Sequence, residues 1–182
     1  MKYLKILITP TLLVLGVFIA IACEPDDICA EGTATTPRLI IDFYNVLNPE
    51  AQKNVFDLVV VGVGNNSVLD GYSFVDTDDV YLPLKTDDNT TQYALIADAT
   101  INNNGTPDDE TDDFLEGNQD IITINYSREE IYVSRACGYK TIYKNVTLTI
   151  EPDADNWMIS RQPMTENQSV ENEDEAHFIV TH

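Results

Sequence analysis

The chain is short of basic residues, histidine, cysteine and tryptophan, and these shortages remove whole classes of function. Ten Lys and Arg stand against 31 Asp and Glu, a formal net charge of −21 in 182 residues. Such a surface repels phosphate backbones and anionic headgroups, so nucleic acid is not an expected partner. The two histidines, His177 and His182, are too few for a zinc site of three or four protein ligands. They also make a catalytic thiol a poor reading of any cysteine. No serine-centred nucleophile elbow, metalloprotease histidine pair or phosphate-binding loop occurs. Two fragments imitate known motifs and fail on context. Gly62-Val63-Gly64-Asn65-Asn66-Ser67 has Ser67 where a dinucleotide fingerprint needs its third glycine, and no helix pattern follows it; it reads as a strand ending in a Gly/Asn turn. Asp174-Glu175-Ala176-His177 spells a helicase box without any phosphate loop upstream.

Long apolar runs are also scarce, and the one present lies at the N-terminus. Lys2 and Lys5 precede an apolar stretch from Ile6 to Ile21, interrupted by Pro10. That stretch falls short of the ~20 residues a spanning helix needs. Charge, apolar run and the small site Ala20-Ile21-Ala22 before Cys23 have the order of a secretory signal. A cysteine just after the cleavage point resembles the bacterial lipobox, with Ala20 in place of its usual leucine. The expected organisation is a removed signal peptide (1–22), a lipidated N-terminus and tether (23–37), and one domain (38–182). Multiple acyl chains on Cys23 would hold a membrane stably without any other element.

With Cys23 acylated, Cys29 and Cys137 remain as an even pair in an oxidising compartment, which predicts a disulfide between them. The polar, threonine-rich segment 24–37 suits a short tether.

Beyond the tether, apolar residues alternate with polar ones in short segments. Leu39, Ile41 and Phe43 share one face of Arg38–Tyr44. Phe56, Leu58 and Val60 share one face of Val55–Gly62. Val80–Lys85, with Pro83 marking an edge, and Thr91–Ala97 follow. Ile122, Ile124 and Tyr126 line up in Ile121–Tyr126; Ile131–Ala136 and Tyr139–Ile150 come next across a turn near Cys137 and Gly138. Val146, Leu148 and Ile150 alternate cleanly, and keeping Lys144 outside requires a bulge near Asn145. Asn156–Ser160 and Ala176–Thr181 complete the set. Only Pro49–Lys53 carries a helical signal, that of a single turn. Stretches 102–118 and 161–175 read as loops. Period-two alternation at this spacing predicts an all-β fold, an antiparallel immunoglobulin-like β-sandwich of about seven to nine strands.

The acidic run from Asp98 to Asp113 carries the densest chemistry. Placing Gly105 on the glycine of a calcium loop puts Thr100, Asn102 and Asn104 on the first ligand positions, with Asp108, Asp109, Glu110 and Asp112 as further oxygens. Thr100 stands where the first ligand should be Asp, and Thr111 where the twelfth should be Glu. A solvated acidic hairpin loop accounts for the same residues. Tyr132, Tyr139 and Tyr143 are candidate aromatic platforms for a glycan, although tyrosine is also a common strand former.

The stretch Asp120-Ile-Ile-Thr-Ile-Asn-Tyr126, continued through Tyr132-Val-Ser-Arg-Ala-Cys-Gly-Tyr139, resembles an uncharacterised family of small flavobacterial lipoproteins, a domain of unknown function. Cys29 after Asp-Asp-Ile, Thr36-Pro37-Arg38-Leu39, and Glu171-Asn-Glu-x-x-Ala-His177 support the resemblance. It implies location and domain, with no activity to carry over. Lipoproteins of that group can carry acidic residues after the acylated cysteine as a surface-export cue, and Glu24, Asp26 and Asp27 are similar. The resulting expectation is an outer-membrane lipoprotein, on the periplasmic face or cell surface, serving as a non-enzymatic binding or structural module. Its partners would be the membrane, through the lipid, and a protein or glycan; no cofactor is required. Two alternatives stay open. One is a calcium-dependent adhesion or ligand-binding module using residues 98–113; the other is an envelope hydrolase or accessory subunit, since two-carboxylate hydrolases leave no local signature.

Overall fold

A computed structural model describes residues 28–33, 35–164 and 168–182. Cys23, the signal segment and the acidic Glu24–Asp27 stretch lie outside the described residues. The chain divides into two compact units, residues up to Thr33 with Tyr132–Tyr139, and Ala34–Ile131 with Lys140–His182.

The larger unit is built on β-strands: β1 (Leu39–Asn45), β2 (Asn48–Gln52), β3 (Val55–Gly62), β4 (Val75–Thr77), β5 (Asp79–Leu82), β6 (Thr90–Asn102), β7 (Phe114–Ser134), β8 (Gly138–Ile150), β9 (Ser160–Pro163), β10 (Ser169–Val170) and β11 (Phe178–Thr181). One sheet runs β2-β1-β11-β9 with β5 also on β1, and the other runs β10-β8-β7-β6-β3-β4. Their inner faces pack into one core, as expected of a β-sandwich. Leu39, Ile41 and Phe43 of β1 are wholly buried, opposite Leu58, Leu95, Ile122, Ile124 and Leu148 of the second sheet. Each such side chain contributes roughly 1.5–3 kcal/mol by leaving water.

The strand count exceeds the expected seven to nine, because four short edge strands, β2, β4, β9 and β10, pair without showing alternation of their own. Pairing is antiparallel except at β1–β11, which run parallel with Ile41 opposite Phe178 and Phe43 opposite Val180. Four local readings need correction. Asn48–Gln52 is strand, not a helical turn: Tyr44 pairs with Gln52 and Asn45 with Asn48, so hairpin pairing overrides the proline-cap signal. Phe56 is 54% exposed while Val55 and Leu58 are buried, because Asp57 takes a φ of 45° and the β3–β4 register slips there. Ile121–Tyr126 and Ile131–Ser134 belong to one long strand, β7, and Arg135 and Ala136 lie in the turn after it. Asn156–Ser160 is mostly irregular, with strand beginning only at Ser160. The bulge expected near Asn145 is present. Asn145 has a φ of 53°, which lets Tyr143 and Val146 both face inward with Lys144 and Asn145 between them.

Gly117 answers a second irregularity. The β6–β7 register slips between Ala97 and Thr100, and a Cβ on Gly117 would lie 2.6 Å from Ile96 and 2.8 Å from the Ala97 carbonyl oxygen. With a φ of 154° as well, the position requires glycine.

Candidate functional site

The polar groups that could carry chemistry are largely taken up by the fold, beginning with three buried tyrosines. Tyr93 on β6, Tyr143 on β8 and Tyr126 on β7 each donate a hydroxyl to consecutive carbonyls, those of Pro83, Leu84 (2.8 Å) and Lys85 (3.0 Å) respectively. Thr91 Oγ1 lies 2.6 Å from the Tyr126 hydroxyl and accepts from the Lys85 N–H at 3.0 Å. Strand β5 belongs to one sheet and the tyrosines to the other, so the segment leaving β5 is tied to the opposite layer. Pro83 removes a donor there, and the hydroxyls give partners to three consecutive carbonyls, of which that of Leu84 is bonded in a buried position. Burial pushes the Tyr93 and Tyr143 hydroxyls up to about 12. Tyr143, expected as a candidate glycan platform, is instead wholly buried. The Asn145 bulge is the reason.

Two further clusters close the seam around β1. The Arg38 guanidinium binds Glu173 through Nε at 2.9 Å and a second nitrogen at 2.5 Å, and the Arg38 backbone N–H donates to the same carboxylate at 2.8 Å. Those bonds hold Glu173 below the usual carboxylate range. Arg38 also lies 4.7 Å over the Tyr81 ring. His177 Nδ1 accepts from the Ile40 N–H at 2.9 Å, while the His177 N–H donates to the Ile40 carbonyl at 2.9 Å. Burial depresses its pKa, against the opposing Asn172 backbone bond and the nearby Glu173 and Glu175 carboxylates. Asp120 is fully buried and accepts from the Met158 N–H (2.8 Å) and the Trp157 N–H (3.3 Å). Its pKa is raised by burial, partly offset by those bonds and one from Asn156. It anchors the crossing between β8 and β9, and Trp157 there packs against Phe43 and His182 at ring separations of 5.7 and 5.5 Å.

The acidic loop is partly strand, since β6 runs to Asn102 and β7 starts at Phe114. Thr100 and Asn102 therefore lie on β6, opposite Glu116 and Phe114. Between the strands, Asp112 accepts from Asn104 Nδ2 (3.1 Å) and Thr106 Oγ1 (2.8 Å), and Asp109 caps a 3₁₀ turn over Glu110–Asp112 by accepting from the Thr111 N–H (3.1 Å). These bonds lower the pKa of Asp109 and Asp112. Asp108 and Glu110 are exposed. Among the described residues, no group of three or more His, Cys, Asp or Glu is arranged to hold a metal.

Two surface features remain. A cleft of about 300 Å³ lies between the Gly62–Asp70 turn, Pro83–Lys85 and Thr91–Tyr93. Asn65, Gln92 and Lys85 bring hydrogen-bonding groups to it, while Val63 and Val68 are exposed there. The smaller unit contains the expected disulfide, Cys29–Cys137, joining residues 108 apart in sequence. Around it, Ile28, Tyr132 and Tyr139 are 82%, 57% and 67% exposed, and the two tyrosine rings meet edge-on at 5.5 Å.

A model of a protein family of unknown function, DUF6452, matches residues 57–182. The chain belongs to the DUF6452 family. No curated protein and no solved structure matches it. The DUF6452 match spans both the Asp120–Tyr126 and Glu171–His177 stretches, whose polar side chains here serve the fold: Asp120 orders the β8–β9 crossing, Tyr126 binds Lys85, Glu173 binds Arg38 and His177 binds Ile40. The tyrosine bonds escaped the sequence reading, although Tyr93 and Tyr126 fall in phase with apolar neighbours, which is the available signal; Tyr143 comes into phase only through the Asn145 bulge. The Arg38–Glu173 pair had none, being 135 residues apart.

Proposed function

We propose that this DUF6452 chain is an exported lipoprotein of the bacterial envelope, acylated at Cys23 and held at the outer membrane, whose β-sandwich is a non-enzymatic binding or structural module. The Cys29–Cys137 bridge carries the reading, because structural disulfides persist in oxidising compartments outside the cytosol. Its compartment agrees with the one read from the Lys2–Cys23 signal. The engagement of Asp120, Glu173, His177 and the buried tyrosines with backbone partners supports a structural use of those groups rather than a catalytic one. The calcium reading has less behind it, since Asp109 and Asp112 are occupied by bonds from their own loop.

The test is fractionation of cells making the full chain or its Cys23→Ser variant. The parent should enter the membrane fraction and the detergent phase, and the variant should leave both. Membrane retention of the variant contradicts the anchor.

A further inference from the structure

We infer that the smaller unit, the β7–β8 hairpin tip with the segment bonded to it, is a membrane-resting surface that beds its aromatic pair into the headgroup layer of a lipid bilayer. The inference rests on acylation at Cys23. Six peptide units separate Cys23 from Cys29, so the lipid-bearing residue reaches at most about 22 Å from the bridge even fully extended. Cys29 is bonded to Cys137 in the turn between β7 and β8. The bridge therefore ties the hairpin tip, and not merely the chain end, to the bilayer.

What the tip displays there is suited to that layer. Tyr132 and Tyr139 meet edge to face at 5.5 Å and are both mostly exposed, and Ile28 is 82% exposed one residue before the bridge. An exposed pair of tyrosine rings leaves apolar area in water, while each polar tip still needs a hydrogen-bond partner. A headgroup layer satisfies both requirements, which is why amphipathic rings gather at membrane interfaces. The segment itself is ordered by short-range bonds. Thr33 donates to the Ala30 carbonyl through N–H (3.1 Å) and Oγ1 (2.7 Å), and the Cys137 N–H donates to Ser134 Oγ at 3.0 Å. Ionic attraction is not the source of the contact, because the chain carries a net charge of −21. The surface it fits is zwitterionic, and anionic lipid should weaken the contact.

The experiment uses the chain beginning at Cys23, coupled through that thiol to a maleimide lipid in phosphatidylcholine vesicles; Cys29 and Cys137 are protected by their bridge. Tyr132→Trp and Tyr139→Trp serve as separate reporters, and the parent, whose single tryptophan is Trp157, is the blank. An intact bridge and unchanged far-ultraviolet dichroism verify each variant. On coupling, reporter emission should move to shorter wavelength and be quenched by bromine-labelled phosphatidylcholine beyond the blank, and the quenching should fall when phosphatidylglycerol is added. Emission of both reporters that stays at its uncoupled value, on vesicles shown by flotation to carry the protein, overturns the inference. Because coupling is chemical, that result leaves natural acylation of Cys23 untouched, which fractionation of cells reads separately.

Discussion

Removing one hydroxyl, by Tyr143→Phe, tests the bonding that joins the two sheets. The ring is wholly buried and packs edge-on against Tyr126 at 4.9 Å. Phenylalanine keeps that packing, so only the 2.8 Å bond to the Leu84 carbonyl is lost. Leu84 is itself buried, and water cannot readily replace the hydroxyl. A hydrogen bond contributes about 0.5–1.5 kcal/mol net, but an acceptor left buried and unpaired costs about 1–3 kcal/mol. The expected loss is therefore about 1–3 kcal/mol. At about 2–4 °C per kcal/mol for a domain of this size, the melting temperature should fall by roughly 2–12 °C. Urea unfolding should show a lower midpoint with an unchanged slope, which separates lost stability from a changed unfolded state. Tyr132→Phe, at an exposed ring, should stay within about 0.5 kcal/mol of the parent. Alkaline titration gives an independent reading. A tyrosine raised to about 12 in the fold contributes stability that is complete below about pH 10, its unfolded pKa, and is lost as pH rises through the folded value. Tyr143→Phe should shrink that alkaline loss. A variant within 0.5 kcal/mol of the parent, with an unaltered alkaline limb, refutes the claim that these hydroxyls tie the sheets together.

Other perturbations follow from the same geometry. Cys29→Ala opens a bridge between residues 108 apart and should lower stability by about 2–5 kcal/mol, read as a drop in denaturant midpoint that the reduced parent reproduces. His177 is held below its ordinary pKa, so its contribution is complete above about pH 6.5 and lost as pH falls through the lower folded value. His177→Asn, which keeps an acceptor for the Ile40 N–H without titrating, should flatten the decline in melting temperature between pH 7 and pH 5, leaving the part due to His182, whose pKa burial also lowers. Gly117→Ala forces a Cβ against Ile96 and the Ala97 carbonyl and should cost more than about 1 kcal/mol by thermal unfolding.

The inward phase of Leu39, Ile41 and Phe43, the run Ile122–Tyr126 and the Asn145 bulge were legible because alternation records a two-layer burial pattern directly. The reading failed where one residue of irregular backbone reverses that phase. Asp57 turns Phe56 outward; the Asn145 bulge was expected, but not its consequence, that Tyr143 turns inward and becomes a core residue. It failed also at Asn48–Gln52, where a proline and an early glutamate imitate a helix start but pairing with β1 decides the conformation. Cysteine arithmetic located the disulfide because setting Cys23 aside as an expected acylation site leaves two thiols to pair. The contacts of Arg38, Asp120 and His177 connect distant segments, and no local pattern announces them.

On the proposed function, Cys23 becomes the acylated first residue of the mature protein. Mass spectrometry of the protein isolated from its native membrane tests it most directly. The N-terminal peptide should begin at Cys23 and carry the mass of its acyl chains, with Cys29 recovered in disulfide linkage to Cys137. An unmodified Cys23 in a chain still beginning at Met1 would contradict it.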